Sequence, residues 1–563
     1  MINSEHKKNL TAKYIISFLL AFVYSVLYTI IGPMVKIQSL QFDRKCIIPF
    51  LVWFIIGTVF NLLVFCFIPQ KEEKIKKAHF YALAKKANDK STALLDKLGN
   101  KRLLLFVWLI IFLAWVPVYL MVYPGVLAYD ILSQTASAMG EITTNHHPVL
   151  HTWLIRVFMR FGNKALGGYE YGIGVFSLIQ MIILSYSLAR LVVLLKKKKV
   201  PGLLVITVAI GSALWFENAI LSVTMTKDIM HSAFLVLFLC HYVEIVTNPS
   251  EYVARKMNLI LFPIVSFFMC AFRNNGLHIF IFCFAFLGLL RIKKIRNIKK
   301  YLILILVIIL PVVMFKVYSG PVFKALGIAQ GEVREALCVP IQQLQRTAIN
   351  RADELSDEQT YYMDYYIDNL SWRDWGNKRE YNPFIADPAK SCFYSGHYEE
   401  SPLTFWKFYI KTGIQFPKDY LAAFLSNTIG YWYPGGYDYS FVEFGNYSSG
   451  SFVVPLERKS IIKWDPITNL YKSFCTSSTW RNIYVIRLFF APGFSAWILL
   501  YSIIIAWKDK KFFTRELPIF LPLIAQFGIM MLAPMASFRY SWPLYLMFPV
   551  ILIAFKMKKS LIE

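Results

Sequence analysis

The sequence has 563 residues, of which 57% are hydrophobic and 17% aromatic, and its formal net charge is +26. Only 17% of the residues are charged, against about a quarter in soluble domains, and the mean hydropathy is +0.48. This composition excludes an ordinary soluble enzyme. Lys and Arg lie in short segments that flank apolar runs, as expected for anchors on an anionic membrane leaflet, so nucleic acid is not an expected partner.

The apolar runs predict an all-α polytopic membrane protein with about 12 transmembrane helices, because one span needs roughly 20 apolar residues. The predicted spans lie near residues 13–33, 47–68, 103–122, 171–195, 202–221, 229–247, 257–272, 276–290, 301–318, 484–506, 516–534 and 539–556. The seventh and eighth runs are short and meet at a tight polar turn. Their boundaries are therefore the least defined by the sequence.

The basic segments all fall on one side of the membrane if the amino terminus is cytoplasmic. They are residues 69–102, 196–199, 255–256, 291–300, 508–511 and 556–559. Cytoplasmic loops carry an excess of Lys and Arg, so both termini are predicted to be cytoplasmic. The agreement between separate loops makes this sidedness the best-supported prediction.

Four regions follow from the predicted spans. Residues 1–102 hold two spans and a basic cytoplasmic loop, and residues 103–318 form a membrane core with a site at its outer face. Residues 319–480 are rich in Tyr, Trp, Asp, Asn, Pro and Gly, which predicts a large extracytoplasmic loop domain between spans 9 and 10. Residues 481–563 hold the last three spans.

Asp130 lies in the first large outer loop, within the sequence YPGVLAYDILSQ (123–134). A short helix after the Pro-Gly pair would bring Gln134 to the same side as Asp130, one turn away. A carboxylate in an apolar mouth can accept a proton from a hydroxyl, so Asp130 is the candidate catalytic base and Gln134 a candidate substrate ligand. A solvated loop acid, or an ion pair with Arg156 or Arg160, would explain Asp130 without catalysis.

Lys227 and Asp228 open the sixth predicted span, and helix amino termini favour anions. Lys227 adds a point charge for a phosphate, and Asp228 could orient the lysine or hold a metal ion, although Asp in a first turn is also an ordinary cap. Arg273 and Asn274 lie at the turn between two apolar runs. A guanidinium there matches a phosphate with two hydrogen bonds, while snorkelling to headgroups explains Arg273 but not Asn274.

His146 and His147 stand in the outer motif NHHP (145–148). Adjacent side chains rarely point at one metal ion, so substrate hydrogen bonding or ordinary loop structure is expected of the pair rather than metal ligation. Arg539 begins the last span from the outside. An arginine there binds a substrate phosphate or, more commonly, a lipid headgroup.

Gln342, Gln343 and Arg346 follow the ninth predicted span on a predicted helix. Gln342 and Arg346 share one face of that helix because they are one turn apart. Amides beside an arginine suit hydroxyl-rich or phosphorylated ligands, and an exposed polar helix face would give the same pattern.

The sequence contains no Walker loop, no GxSxG and no HExxH motif, and no GxGxxG at a strand–helix junction. A reaction driven by a nucleotide in the cytoplasm therefore has no support. An activated donor at the outer face would most simply be carried by a lipid.

These outer segments resemble those of the GT-C glycosyltransferases, which are polytopic membrane enzymes. The similar features are the acid that ends YPGVLAYD (Asp130), the Lys227–Asp228 pair that opens a later span, and a late loop over the membrane. The pattern YPG…D…Q, NHHP and QQ…R is most similar to a bacterial branch of that superfamily described as a domain of unknown function, over about residues 100–560. Unlike better-known members, this chain has its bulky outer segment between spans nine and ten.

The resemblance implies inverting transfer of a sugar from a polyprenyl-phosphate or polyprenyl-diphosphate donor to a glycan, lipid or protein acceptor of the bacterial cell envelope, at the plasma membrane. Asp130 would be the general base, and Lys227, Arg273 and Arg346 would stabilise the departing phosphate. Some GT-C members use a divalent metal. Here basic residues outnumber carboxylate pairs, so a metal-independent reaction is expected, with a divalent metal ion as the alternative.

Three other functions fit the same sequence features. A transporter or flippase of lipid-linked sugars often has twelve spans, but its ionisable residues usually lie near the midplane, whereas here they cluster at the outer ends. A polysaccharide polymerase or ligase shares the chemistry at the outer face and joins longer glycans. A structural or assembly protein would use the polar turns only as contacts.

Overall fold

The computed structural model describes residues 4–39, 41–67, 79–285, 298–368, 381–433, 491–507 and 512–559, with isolated positions between 453 and 483. Throughout these residues the secondary structure is helical, and β-pairing is limited to isolated bridges. The architecture is therefore that of an all-α polytopic membrane protein, as the sequence predicts.

The chain forms a series of helices connected by turns and short loops. The principal ones are α1 (Ser4–Val26), α2 (Ile47–Leu62), α3 (His79–Val122), α4 (Ile131–Met139), α5 (Val149–Leu166), α6 (Tyr169–Lys197), α7 (Gly202–Leu214), α8 (Phe216–Ser222), α9 (Lys227–Thr247), α10 (Lys256–Phe272), α11 (Asn275–Cys283) and α12 (Ile298–Val317). After them come α13 (Cys338–Asn350), α14 (Asp357–Tyr366), α15 (Pro402–Gln415), α16 (Pro417–Trp432), α17 (Pro492–Ala506), α18 (Leu517–Met531), α19 (Phe538–Met547) and α20 (Ile551–Lys559).

Seven helices within the described residues are long and apolar enough to cross a membrane. They are Thr11–Lys36, Arg44–Phe65, Tyr81–Val122, Tyr169–Lys197, Lys227–Thr247, Ile298–Ala325 and Phe538–Lys556. The pair α7 and α8 gives one further candidate span, which is bent by 53° at its break. Three shorter apolar helices, α10, α17 and α18, coincide with other predicted spans. The predicted number of about twelve spans therefore stays a prediction.

Some predicted boundaries differ from the structure. The predicted basic segment at 69–102 is helical from His79 onward, because α3 begins there and continues to Val122 with a break at Gly99, whose φ is +66°. The predicted span at 202–221 is two helices, since Trp215 has an extended backbone (φ −67°, ψ 110°). The predicted span at 276–290 begins as α11, and its last residues lie outside the part of the chain that the structure describes.

Helix α9 lies at the centre of the helix bundle. In its apolar window 89% of the residues are buried, against 11% for the span Arg44–Phe65 at the periphery. It packs against α6, α10 and α19. Because α9 begins with Lys227 and Asp228, these two polar residues are fixed at one end of the most enclosed helix.

The charged residues separate the bundle into two ends. Lysines follow the end of α6, start α10 and end α20, and Lys197 Nζ lies 2.9 Å from Glu244 Oε1, near the end of α9. We call this the basic end. The start of α9, the end of α10 and the start of α19 lie at the other end, which we call the site end because it carries Lys227, Arg273 and Arg539.

Candidate functional site

A short parallel bridge holds the segment of Asp130 against the segment that precedes α9. Val126 N donates to the Val223 carbonyl, and Met225 N donates to the Val126 carbonyl, each at 2.9 Å. Asp130 lies four residues after Val126 in the first segment, and Lys227 lies two residues after Met225 in the second. Two residues far apart in the sequence are thereby brought together.

The bridge depends on a tight turn and a buried amide. Gly125 has φ +152°, and a Cβ atom added there would lie 2.6 Å from Ser177 Oγ, so the position requires glycine. Gln180 Nε2 donates to the carbonyls of Ser222 and Thr224, at 2.8 and 2.9 Å. These backbone carbonyls are thus satisfied although they are buried, which stabilises the loop before α9.

Five charged side chains meet at the site end, and we call them the ion cluster. Lys227 Nζ lies 2.9 Å from Asp130 Oδ2, and Arg539 Nη1 lies 3.8 Å from the same oxygen. Arg273 forms an ion pair with Asp228, and Arg539 Nε lies 4.0 Å from Asp228 Oδ2. The sequence identified all five as candidate site residues, and the structure brings them into one network.

The ion cluster is largely withdrawn from solvent and carries an excess of positive charge. The Asp228 side chain is 1% exposed and that of Arg539 is 11% exposed, while Asp130 is 30% exposed. Three cations, Lys227, Arg273 and Arg539, face two carboxylates, which leaves one positive charge uncompensated within the part of the chain that the structure describes. Uncompensated charge of this kind is costly in a partly buried place, and an anionic ligand would relieve it.

The carboxyl group of Asp130 is ionised at neutral pH. Burial raises its pKa, but the nearby charges of Lys227 and then Arg539 outweigh burial and hold the pKa well below its usual range. In the ligand-free protein Asp130 is therefore a weak base, because its charge is already stabilised by two cations.

Two tyrosine rings hold the arginines in position. The Arg539 guanidinium lies 4.4 Å from the centre of the Tyr129 ring and 4.7 Å from the centre of the Tyr540 ring. The Arg273 guanidinium also lies 4.7 Å from the centre of the Tyr540 ring. These cation–π contacts orient both guanidinium groups. Arg539 Nη1 is buried and has no hydrogen-bond partner among the described residues, so one donor remains for a ligand.

His147 connects the ion cluster to α4. Lys227 Nζ lies 3.3 Å from His147 Nδ1, and His147 Nε2 lies 2.8 Å from Ser133 Oγ. With Lys227 donating to Nδ1, the single proton of a neutral imidazole is on Nε2 and donates to Ser133. Burial, and then the charge of Lys227, lower the pKa of His147 to about 3, so the ring is neutral.

Gln134 is buried and pairs with a histidine that sequence reasoning missed. Gln134 Oε1 lies 3.0 Å from Nδ1 of His151, which is itself fully buried and contacts the rings of Phe176 and Phe272. Burial, and then the charge of Lys227, lower the pKa of His151 to about 3. Asp130 is the cap residue before α4, not inside the helix as predicted, so its carboxylate and the Gln134 amide have different partners.

The remaining predicted residues of this end lie at its margin. The His146 ring is 4.6 Å from that of His147 and borders a polar cavity. Asn274 is exposed at the turn before α11, where its carbonyl accepts from Leu277 N at 3.2 Å. Arg156, a predicted alternative partner of Asp130, instead donates to carbonyls at the end of α4, including that of Ala138 at 2.7 Å.

Gln342 and Gln343 lie on α13, in the outer segment. Gln342 Nε2 donates to the Asn382 carbonyl at 2.8 Å, and Gln343 Nε2 donates to the Tyr420 carbonyl at 3.0 Å. Both amides therefore link parts of the outer segment to one another.

Arg346, on the same helix, is 5% exposed and donates to Gln38 Oε1 in the loop after the first span. Its Nε lies 3.9 Å from Asp419 Oδ1 on α16. In the described residues these three side chains of α13 contact the outer segment and this loop, and not the ion cluster. The geometry thus separates them from the residues around Asp130.

Sequence reasoning missed Ser133, His151 and Tyr129 as parts of the site. Ser133 is one turn beyond Asp130, and this spacing could have identified it. A histidine inside an apolar helix and a tyrosine in an aromatic-rich loop carry no comparable signal. Their roles depend on contacts between helices that are far apart in sequence.

The donor set of the ion cluster suits an anion better than a metal ion. Within the described residues no group of three His, Cys, Asp or Glu side chains could hold a metal. Asp130 and Asp228 are each paired with cations, and a divalent ion between them would meet Lys227, Arg273 and Arg539. We therefore derive no step through a metal.

A model of a family of unknown function, DUF6020, matches residues 140–561. The chain belongs to the DUF6020 family. The matched region contains Lys227, Asp228, Arg273 and Arg539 of this DUF6020 protein, while Asp130 precedes it by one short helix. No curated protein and no solved structure matches the chain.

Proposed function

We propose that this DUF6020 protein is a membrane glycosyltransferase that takes a sugar from a polyprenyl-phosphate or polyprenyl-diphosphate donor and transfers it to a cell-envelope acceptor. The observation that carries the proposal is the ion cluster at the end of an apolar bundle. Among the described residues, its three cations and two carboxylates leave one unmatched positive charge. A lipid phosphate supplies the missing negative charge and is soluble in the same membrane.

The donor phosphate binds to Lys227, Arg273 and Arg539. Arg539 offers the buried Nη1 donor that has no partner in the described residues, and guanidinium groups match phosphate oxygens with two parallel hydrogen bonds. Transfer builds negative charge on the phosphate as it leaves the sugar. Cations fixed in a site with little water stabilise that charge most strongly, because the local dielectric is low.

Asp130 acts as the general base. The acceptor hydroxyl oxygen attacks the anomeric carbon, its proton passes to Asp130, and the bond from that carbon to the phosphate oxygen breaks with inversion. Asp130 is held as a weak base by Lys227 and Arg539, so a phosphate that draws these two cations away raises the proton affinity of Asp130. Donor binding itself thus prepares the base.

An apolar groove supports a lipid-borne donor. A cavity of about 450 Å³ lies between α1, α2 and α17, and its walls include Tyr24, Trp53 and Trp497. Trp497 Nε1 donates to the Trp432 carbonyl at 3.2 Å, beside Tyr431 of α16. The Tyr431 hydroxyl accepts from the backbone N–H of residue 537 at 3.1 Å, two residues before Arg539. The groove is therefore connected by packed residues to the ion cluster.

Sidedness follows from the two ends of the bundle. Basic residues are anchored on the cytoplasmic leaflet, so the basic end is cytoplasmic and the site end faces outward. The protein is then a multi-pass protein of the bacterial plasma membrane with both termini in the cytoplasm. A polyprenyl-linked donor is the activated sugar that can serve at that face, where nucleotide sugars are absent.

Transfer is tested with the purified protein in nanodiscs. The probes are radiolabelled sugars on undecaprenyl phosphate, with delipidated cell-envelope extract as acceptor. Asp130→Asn lowers transfer at least about 100-fold, the lower bound for loss of a general base. The matched variant Asp96→Asn, at an exposed pair with Lys196, keeps wild-type transfer. Transfer that survives Asp130→Asn contradicts the assignment of the base.

Binding of the donor is measured separately, with undecaprenyl phosphate alone. Lys227→Met weakens this binding by about ten- to a hundredfold, because a charged hydrogen bond contributes roughly 1.5–3 kcal/mol. Lys197→Met, at the basic end, leaves it unchanged. Equal affinities for wild type and Lys227→Met would remove the phosphate site.

A flippase of lipid-linked sugars is the second candidate. The observation in its favour is the 53° break between α7 and α8 next to the fully buried Glu217, since broken helices with an ionisable residue mark transport pathways. Sealed vesicles separate the two functions. Movement of the donor lipid across the vesicle membrane without a new glycosidic bond supports the flippase and contradicts the transferase. Joining of long glycans would instead indicate a polymerase or ligase.

A further inference from the structure

A polar cavity adjoins the ion cluster on the side of His147. Its volume is about 320 Å³, within the range of about 300–1,000 Å³ that is typical of small-molecule sites. It lies between α4, the loop before α5 and the chain around Gly331. Ser133 and His147 belong both to its wall and to the hydrogen-bond chain that reaches Lys227.

The chemistry of the wall differs from that of the ion cluster. The lining residues include five with hydroxyl side chains, Ser133, Ser137, Thr143, Thr144 and Thr152, together with residues that carry amide, imidazole and carboxylate groups. Each hydroxyl both donates and accepts hydrogen bonds. Groups of this kind match the hydroxyls of a sugar.

The charge of the cavity does not favour a phosphate. Glu141 and Glu332 carry two negative charges, and Arg334, the remaining charged wall residue, pairs with Glu332 through its Nε at 2.6 Å. Among the described residues, the wall therefore has no unmatched cation, in contrast to the ion cluster. A hydroxylated ligand without negative charge fits it better than an anion does.

The wall is held in place before any ligand binds. Asn145 N donates to the Ala329 carbonyl at 2.9 Å, and Ala329 N donates to the Thr143 carbonyl at 2.7 Å. The Tyr318 hydroxyl accepts from Leu150 N at 2.9 Å at the start of α5. A preformed wall lowers the entropic cost of ligand binding.

We propose that this cavity binds a sugar unit of the acceptor. The apolar groove is connected to the ion cluster through residues just before Arg539, whereas the cavity meets the cluster at His147 and Ser133, beside Lys227. A sugar in the cavity has its hydroxyls next to Ser133, whose own hydroxyl donates to the Asp130 carbonyl at 2.9 Å. The acceptor role rests on the proposed function, whereas sugar binding itself does not.

The test uses a variant that fills the cavity and a matched variant elsewhere. Thr144→Trp introduces a large side chain at the wall, and Thr404→Trp makes the same change near the start of α15, in the outer segment. Both positions are at least partly exposed, so neither change overfills a packed core. The probes are the methyl glycosides of glucose, galactose, mannose and N-acetylglucosamine, followed by saturation-transfer NMR on the full-length protein in nanodiscs.

We expect at least one methyl glycoside to bind to the wild type and to Thr404→Trp, and its signal to fall at least fivefold in Thr144→Trp. Binding of undecaprenyl phosphate is measured on the same samples and stays within twofold in all three. The proposal is overturned if no glycoside binds to the wild type, or if Thr144→Trp binds the glycoside as the wild type does. It is also overturned if Thr144→Trp loses lipid phosphate and glycoside equally, because cavity and cluster would then be one site.

Failure of this proposal differs from failure of the proposed function. If Asp130→Asn keeps transfer, the base is wrong, yet glycoside binding and its loss in Thr144→Trp are still observed directly. If transfer requires Asp130 but Thr144→Trp binds glycosides normally, the transferase stands and the acceptor lies elsewhere.

Discussion

The two ends of the helix bundle use charged residues differently. At the basic end, Arg255 pairs with Glu251 one turn away on the same stretch of chain, and the two side chains are 49% and 57% exposed. At the site end, Arg273 pairs with Asp228 of another helix, and these side chains are 15% and 1% exposed. The Arg255–Glu251 pair thus keeps its charges in water, whereas the Arg273–Asp228 pair is withdrawn from it.

This difference separates anchoring from recognition. Exposed ion pairs contribute little to stability, so the lysines and arginines of the basic end are explained by attraction to an anionic leaflet. Removing a charged side chain from water costs several kcal/mol per ion. Buried charges are therefore expected only where opposite charges or hydrogen bonds compensate this cost. In the residues that the structure describes, the ion cluster has three cations for two carboxylates, and this imbalance points to an anionic ligand.

The largest expected difference in stability comes from removing the cation that pairs with a buried carboxylate. Arg273→Leu leaves Asp228 buried and without its main cation, which costs about 3 kcal/mol of unfolding free energy, because Arg539 compensates weakly from 4.0 Å. Arg255→Leu makes the same change at an exposed pair and costs about 0.5 kcal/mol or less. Thermal unfolding in detergent compares the two variants.

A second substitution sharpens this prediction. Arg273→Leu combined with Asp228→Asn removes the uncompensated charge as well, so it recovers most of the lost stability. Equal losses in Arg273→Leu and Arg255→Leu would show that the two ends do not differ in the burial of their charges.

A smaller effect concerns the neutral histidine beside Lys227. The pKa of His147 is about 3 in the folded protein, below its ordinary value, so the unfolded chain takes up a proton first as the pH falls. Its contribution to stability is complete above about pH 6.5 and is lost progressively from there towards pH 3. His147→Gln therefore reduces the acid-induced loss of stability by about 2 kcal/mol at pH 5.

Unfolding temperatures between pH 7 and pH 4.5 measure this change. Asp130 does not interfere, because its lowered pKa affects stability only below the ordinary pKa of an aspartate, near 4. His151, whose pKa is also lowered, keeps its contribution in both proteins, so part of the acid sensitivity remains. His278→Gln, at an exposed histidine near the site end, is the control.

The sequence predicted the site end better than the contacts within it. Asp130, Lys227, Arg273 and Arg539 each stand next to an apolar run, and a polar residue at a helix end is visible in a single sequence. Which cation meets which carboxylate depends on the packing of α9, α10 and α19, and no sequence pattern encodes it. His151 was missed for the same reason, since its partner Gln134 lies on another helix.

The outer segment shows the limit of helical spacing as a signal. Gln342 and Arg346 are one turn apart on α13, as predicted, and this spacing suggested a shared ligand. The structure instead gives them separate partners, the Asn382 carbonyl and the Gln38 side chain. Buried amides and arginines also join segments of a fold, and spacing alone does not distinguish this use from ligand binding.

The sidedness of the two ends is the claim on which the account depends, and cysteine labelling in intact cells tests it most directly. In a background whose eight cysteines are replaced by alanine, Ser133→Cys reports on the site end and Asp96→Cys on the basic end. A membrane-impermeant maleimide should label Ser133→Cys in intact cells and Asp96→Cys only after permeabilisation. Labelling of both positions from the same side would contradict an outward-facing site.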